Sequence, residues 1–135
     1  MADVFEDNKV AQIILGEAAN QGPEGMIMVA DTMFNRTMQS NKTMREIATQ
    51  PKQFTAAGRP NLQEFFDRQP LALQRLAQEL VKERGDRKFT PSHDALNYTT
   101  IELFNKRDTL PEKHWLRNMR SIGEVRDHVL LEDAR

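Results

Sequence analysis

Two adjacent helical patterns, separated by a short break, constrain the fold of this chain more than any other feature. The first pattern has the i, i+3, i+4, i+7 spacing that lines up one face of an α-helix: Val10, Ile13, Ile14 and Glu17. Asn20-Gln21-Gly22 interrupts it. Pro23 then stands where a first helical turn begins, because its missing N–H costs nothing there. The chain is therefore predicted to form two consecutive helices, with an acidic residue in line with the apolar face of the first.

The second pattern repeats at three- and four-residue steps over about four turns, which predicts a central core helix: Met26, Val29, Ala30, Met33, Phe34 and Thr37. A later helix is predicted to begin at Pro70, to end at a cap on Gly85 and to pack against this core helix. Capping-box patterns at residues 43–46 and 61–64 predict the starts of two short helices between them.

The C-terminal part gives weaker signals. Thr90-Pro91 resembles a helix start and residues 94–107 are compatible with a helix, although Tyr-Thr-Thr-Ile at 98–101 has a β preference. The tail DHVLLE at 127–132 is compatible with a short strand or a hairpin edge. A chain of 135 residues suffices for one core and is too short for two, so residues 1–135 are predicted to form a single domain.

The composition excludes several classes of function. The formal net charge of -1 does not suit a polyanion-binding surface, so nucleic acid is not an expected partner. The absence of cysteine excludes a disulfide framework and thiolate catalysis. No run suits a signal peptide or a membrane span, so we expect a protein made in the cytoplasm, without a membrane partner. The lack of a coiled-coil pattern favours a monomer.

Glu17 needs an explanation, because a carboxylate in line with isoleucines is unusual. There are three alternatives for such a carboxylate: it extends to water, it pairs with a cation, or it stays partly buried and protonated near neutral pH. Only the last case gives an acid catalyst, and structural ion pairs also hold such residues. Helical spacing alone therefore leaves the three alternatives open.

The residues around Glu17 resemble a known family. They match, in order and spacing, the GEA…G…VA…NR pattern of the SleB-like cell wall hydrolases, spore-cortex-lytic enzymes of the muramidase type: Gly16, Glu17, Ala18, Gly25, Val29, Ala30, Asn35 and Arg36. Shorter matches follow at 53–55, 94–98, Trp115 and 122–129, so the resemblance covers most of the chain. Gln21 stands where the family usually has a second glutamate, Asp94 stands in place of a glycine, and the closing motif is longer here.

The resemblance implies a mainly α-helical, small lysozyme-like domain with a short β element beside a cleft. It implies that the partner is the glycan strand of peptidoglycan and that Glu17 protonates the leaving oxygen of a β-1,4 glycosidic bond. In a lytic transglycosylase the 6-hydroxyl of muramic acid is the nucleophile, so one carboxyl group acts first as acid and then as base. The expected product is then a 1,6-anhydromuramic sugar.

The same resemblance implies substrate-binding residues around the cleft. Gln53 lies on the segment expected to form a cleft wall, and Asn97 and Tyr98 offer directional hydrogen bonds to the sugar. Tyr98 is equally well explained as a core aromatic residue. Asp94 is the candidate base for a hydrolytic variant, or else an acid in a first helical turn. His128 is included because the closing motif ends there.

Other functions have less support in the sequence. The three histidines are far apart and lack HExxH spacing, so we expect neither a metal nor a cofactor. Trp115 is a candidate for sugar stacking, but a single tryptophan more often fills a core or a domain edge, so it is not included among the catalytic residues. Asn35 and Arg36 are interpreted as residues that hold loops rather than as parts of the site. The expected setting is a bacteriophage lysin acting on the bacterial cell wall, and the alternative class is a glycan-binding structural protein without catalysis.

Overall fold

The computed structural model describes residues 4–18, 20–51, 53–85 and 88–134, and the side chains from residue 8 onward. Within these residues it is a small domain of six α-helices and one three-stranded antiparallel sheet. The sequence-based prediction of a mainly helical domain with a short β element is thereby confirmed.

The first two helices form the predicted pair. Helix α1 spans Val4–Ala18, and Val10, Ile13 and Ile14 on its apolar face are buried. The break is made at Gly22, whose φ of 67° suits glycine. Helix α2 spans Gly22–Ser40, with a proline in its first turn. It has 19 residues and therefore about five turns, one more than the apolar stripe predicted.

Three further helices complete the helical part. Helix α3 spans Met44–Ala48, α4 spans Leu62–Asp67 and α5 spans Leu71–Arg84. The capping box of Thr43 and Glu46 is present. The predicted helix start at Asn61 is confirmed, since Asn61 is the N-cap of α4. The capping box itself is absent, because Asn61 is in the left-handed conformation, with φ 59°, and its side chain makes no capping hydrogen bond. Helix α5 packs against α2, as predicted, and also against α1.

The prediction of a helix over residues 94–107 is largely wrong. Residues 94–96 are not helical, and strand β1 then spans Asn97–Thr100. The β preference of the threonines outweighs the helix propensity of their neighbours at this point. The Thr100 side chain accepts a hydrogen bond from Leu103 N–H at 3.2 Å and begins a short helix α6, Ile101–Asn105.

The sheet has the order β1-β3-β2. Strand β2 spans Met119–Val125 and strand β3 spans His128–Asp133. The C-terminal segment is therefore a strand, as predicted, but it pairs on both sides and lies in the centre of the sheet rather than at an edge. Val129, Leu130 and Leu131 are buried, which explains the central position. The sequence analysis did not predict β2.

Two apolar clusters support the site. The larger one joins the helices, Phe54, Ala95 and Leu130. The smaller one consists of Leu116, Val129 and Leu131 under α6 and the segment before β2. None of the described helices has the length and apolar character that a membrane span requires.

Candidate active site

Both carboxylate oxygens of Glu17 are held by parts of the chain that are distant in sequence. Glu17 lies in the last turn of α1 and is half-buried. Ala56 N–H donates a hydrogen bond to Oε2 at 2.9 Å, and the Tyr98 hydroxyl donates one to Oε1 at 3.2 Å. The carboxyl group is thus fixed between the loop before α4 and strand β1, instead of extending into water.

The glycine before Glu17 permits this arrangement. A Cβ atom on Gly16 would lie 2.9 Å from Ala56 Cβ and 3.2 Å from Leu62 Cδ1. Any larger residue would therefore push the Ala56 segment away from α1. The glycine of the GEA motif allows the backbone N–H of Ala56 to reach Glu17.

The two hydrogen bonds distinguish the two oxygens chemically. A backbone N–H only donates, so Oε2 must accept in either protonation state. The carbonyl oxygen of a protonated carboxyl group is the better acceptor, so this hydrogen bond favours Oε1 as the atom that carries the proton. The Tyr98 hydroxyl both donates and accepts, so it remains a partner of Oε1 whether or not Glu17 carries the proton.

The Tyr98 hydroxyl stays protonated in this environment. Burial raises the pKa of Tyr98 well above its ordinary value, and the negative charge of Glu17 and the hydrogen bond to it raise it further. Arg36 opposes these effects only in part. Tyr98 therefore serves as a neutral hydrogen-bonding group, not as a proton donor that ionises.

His128 lies against the other side of Tyr98. The two rings meet edge to face, with centroids 5.6 Å apart. Burial lowers the pKa of His128, while the charges of Asp127 and Glu17 raise it by less. Its Nδ1 atom is buried and has no hydrogen-bond partner among the described residues. The site therefore contains a neutral imidazole with one unsatisfied nitrogen near neutral pH.

Arg36 organises the cleft wall. Its Nε donates to Leu96 O at 2.7 Å, and its terminal nitrogens donate to Gln53 Oε1 at 3.2 Å and to Asn97 Oδ1 at 3.1 Å. Burial lowers the pKa of Arg36, an effect that Tyr98 counters in part. Arg36 was predicted to hold loops, and it does donate a hydrogen bond to a loop carbonyl, that of Leu96. It also orients two predicted binding residues, a role that the sequence analysis missed.

Asn35 supports the same wall from the next helical position. Its side-chain amide donates to His93 O at 2.8 Å and to Ala95 O at 2.9 Å. The segment that leads into β1 is therefore fixed to α2 by consecutive residues of the NR pair.

A cavity of about 720 Å³ opens beside Glu17. Five of the six predicted site residues line it: Glu17, Gln53, Asn97, Tyr98 and His128. Asp94 is exposed and does not line this cavity. The helix that was to carry Asp94 does not form, since the segment is held in an extended path by Asn35.

The same cavity has further lining residues that were not among the predicted site residues. Lys113, Trp115 and Asp133 line it together with residues of β1 and β2. The Trp115 side chain is 50% exposed and stacks on the His114 ring, so it is not a core residue. Asp133 is a second carboxylate in the cavity, and no motif in the sequence singled it out.

Gln21, which replaces a second glutamate of the resembled pattern, has a structural role. Its side-chain amide donates to Asp127 Oδ2 at 3.4 Å and accepts from Asp127 N–H at 3.3 Å. Gln21 is buried and does not line the cavity. It joins the start of α2 to the turn between β2 and β3.

The histidines do not gather into a metal site. His93 Nδ1 accepts from Ala95 N–H at 3.0 Å, and His114 Nδ1 accepts from Leu116 N–H at 3.1 Å. In the part of the chain that the structure describes, no group of three or more histidine or acidic residues could hold a metal ion.

Comparison with known proteins identifies one family. A family model described as Cell Wall Hydrolase matches residues 20–131. The matched range begins after Glu17, so it does not itself bear on that residue. No curated protein and no solved structure matches the chain significantly.

Proposed function

Because the chain belongs to the cell wall hydrolase family, we propose that it cleaves the β-1,4 bond between N-acetylmuramic acid and N-acetylglucosamine in peptidoglycan. Family membership itself implies a hydrolytic enzyme that degrades peptidoglycan. The choice of bond and of mechanism is our proposal. The expected bacteriophage setting stays a prediction.

One observation carries the proposal: Glu17 lines the large cavity with one oxygen tied to the backbone and the other facing Tyr98. A general acid must hold its proton at a defined atom close to the leaving oxygen. The donor at Oε2 favours Oε1 as the atom that holds this proton. Oε1 is then the atom that protonates the glycosidic oxygen.

We favour a lytic transglycosylase over a hydrolase. As the glycosidic bond breaks, the Oε1 proton passes to the leaving oxygen and an oxocarbenium-like carbon develops. The 6-hydroxyl of the same muramyl residue attacks this carbon and returns its proton to the Glu17 carboxylate. The products are a 1,6-anhydromuramyl end and a free 4-hydroxyl, and Glu17 is regenerated without a second carboxylate.

The hydrolytic alternative has one specific observation behind it. Asp133 lines the same cavity as Glu17. A carboxylate in that cavity could activate water as a base, which is the role considered above for Asp94, or could attack the anomeric carbon. The two mechanisms differ in whether Asp133 takes part in the chemistry.

Mass spectrometry of the muropeptides released from purified sacculi tests the proposal. A transglycosylase yields anhydro ends that do not react with borohydride, whereas a hydrolase yields reducing ends that do. A hydrolytic muramidase run in parallel calibrates the assignment. We expect anhydro ends from the wild type and from Asp133→Asn at similar rates. Reducing ends that disappear in Asp133→Asn would establish hydrolysis instead, and sacculi that are bound but never cut would indicate a glycan-binding protein.

A further inference from the structure

Glu17 is shared by two cavities. Besides the large one, a cavity of about 460 Å³ is lined by Glu17, Arg59, Pro60 and small residues around them. The two cavities have no other lining residue in common. The segment that supplies Ala56 to Glu17 contributes to both, since Phe54 lines the first and Thr55 lines the second.

The second cavity continues beyond Arg59. A third cavity, of about 420 Å³, is lined by Arg59, Lys9, Gln12 and other polar residues. Arg59 belongs to both the second and the third cavity. The three cavities are therefore linked in series, by Glu17 at one junction and by Arg59 at the other.

The walls of the second cavity leave room for a ligand. Gly16, Ala56 and Gly58 have small side chains or none. A Cβ atom on Gly58 would meet no heavy atom within 4 Å, so this position faces open space. Gly58 is also exposed, so a ligand can approach the chain there.

Arg59 is exposed and contacts an aromatic ring at the junction. Its guanidinium lies over the Phe65 ring, 4.0 Å from the ring centroid. This contact restrains the long side chain, which lowers the entropy cost of binding an anion. Among the described residues no carboxylate forms an ion pair with Arg59. Lys9, in the third cavity, adds a second positive charge nearby.

We propose that the second cavity binds a muramyl residue next to Glu17, and that Arg59 binds its carboxylate. The inference rests on the proposed function, because it assumes a glycan strand at Glu17. Guanidinium groups bind carboxylates through paired N–H donors. A muramyl residue offers such a carboxylate on its stem peptide, or on its lactyl group once the peptide has been removed.

Kinetics on two substrates test this proposal. Intact sacculi carry stem peptides, and the same strands treated with an amidase carry only lactyl carboxylates. We expect Arg59→Ala to raise KM on intact sacculi about 10-fold with kcat little changed, because a hydrogen bond to a charged group is lost while Glu17 is untouched. Arg59→Lys should recover part of the loss. Arg75→Ala, an exposed arginine on α5 that lines none of the three cavities, is the matched control.

The pair of substrates identifies the source of the carboxylate. A defect of Arg59→Ala confined to intact sacculi assigns the stem peptide. A defect confined to the amidase-treated strands assigns the lactyl carboxylate, because that group is an amide in intact sacculi. Gly58→Leu provides an independent test, since its side chain would fill the second cavity while Arg59 is retained. We expect it to raise KM on both substrates.

The outcomes separate this proposal from the proposed function. If the wild type cuts sacculi and the KM values of Arg59→Ala and Gly58→Leu lie within twofold of the wild-type KM, the second cavity is not a subsite. If the wild type releases no product, co-sedimentation with sacculi measures instead how tightly the wild type and Arg59→Ala bind the glycan. Binding that is weakened about 10-fold in Arg59→Ala would then support the subsite although the proposed chemistry had failed. Equal binding would overturn the subsite as well.

Discussion

At the scale of single residues, Tyr98 is the group that connects the carboxyl of Glu17 to the rest of the site. Its hydroxyl contacts Oε1, and its ring contacts His128 edge to face. Since the pKa of Tyr98 is raised, mainly by burial, the hydroxyl stays neutral over the working range of pH. It can therefore orient the proton on Oε1 without competing for it.

We expect Tyr98→Phe to lower kcat by about 10-fold, because one hydrogen bond to a charged group is lost while the ring is kept. Steady-state cleavage of solubilised glycan strands measures this. Tm should change little, which separates a positioning effect from unfolding. An unchanged kcat would mean that the Ala56 N–H alone positions Glu17.

His128 makes stability depend on pH in a defined direction. Burial lowers its pKa in the folded state, and Asp127 and Glu17 counter this only in part. The unfolded chain titrates near the ordinary value of 6.5 and so binds more protons than the folded chain just below it. This contribution to stability is complete at neutral pH, declines as the pH falls below 6.5, and stops changing below the folded pKa.

We therefore expect Tm of the wild type to fall more between pH 7 and pH 5 than Tm of His128→Gln, which lacks the titrating group. Thermal unfolding across this range in both proteins is the measurement. Other groups titrate in both proteins alike, so the difference between the two curves reports His128. Parallel curves would contradict a partly buried imidazole that is neutral at pH 7.

At the scale of elements, the contact between α1 and the segment 55–58 positions the carboxyl group. Gly16→Ala should lower stability by about 1 kcal/mol and slow glycan cleavage, because the added methyl group meets Ala56 at 2.9 Å. Helix propensity alone predicts the opposite sign, a gain of roughly 1 kcal/mol. Gly58→Ala, with open space at its Cβ, is the matched control and should not destabilise. Urea unfolding that shows Gly16→Ala to be stabilised would contradict the close approach.

The segment that leads into β1 depends on a buried ion pair between helices. Asp31 on α2 accepts from Arg84 Nε on α5 at 2.8 Å, and its other oxygen accepts from Ser92 N–H at 3.0 Å. The two charged side chains are 0% and 3% exposed, respectively. One carboxylate thus joins two helices to the chain that enters the site.

We expect Asp31→Ala to cost about 3–5 kcal/mol, since Arg84 is left buried without its partner. The comparison is Glu102→Ala, which breaks an exposed ion pair with Lys106. The side chains of Glu102 and Lys106 are 80% and 62% exposed, respectively. That change should cost less than about 1 kcal/mol. Chemical denaturation of both variants gives the difference, and similar losses in the two would refute the role of the buried pair.

At the scale of the whole molecule, local sequence patterns predicted most of the helices and their caps, which depend on residues close together in the chain. The positions of Val10 and Ile13 placed Glu17 on α1, and Thr43 predicted the capping box of α3. The sheet was predicted poorly because pairing such as Tyr98 with Leu130 joins distant segments, which no local period records. Arg36 and Asp133 were missed for the same reason, since only the folded chain brings them to the cavity of Glu17.

The measurement that tests the account most directly is the release of muropeptides from purified sacculi by Glu17→Gln. Glutamine keeps a carbonyl oxygen for Ala56 N–H but carries no acidic proton. Glu24→Gln, an exposed glutamate at the start of α2, is the matched control. We predict that Glu24→Gln acts like the wild type, and that Glu17→Gln, folded to the same Tm, is slower by at least about 100-fold. A Glu17→Gln protein that releases anhydromuropeptides at close to the wild-type rate would contradict Glu17 as the acid.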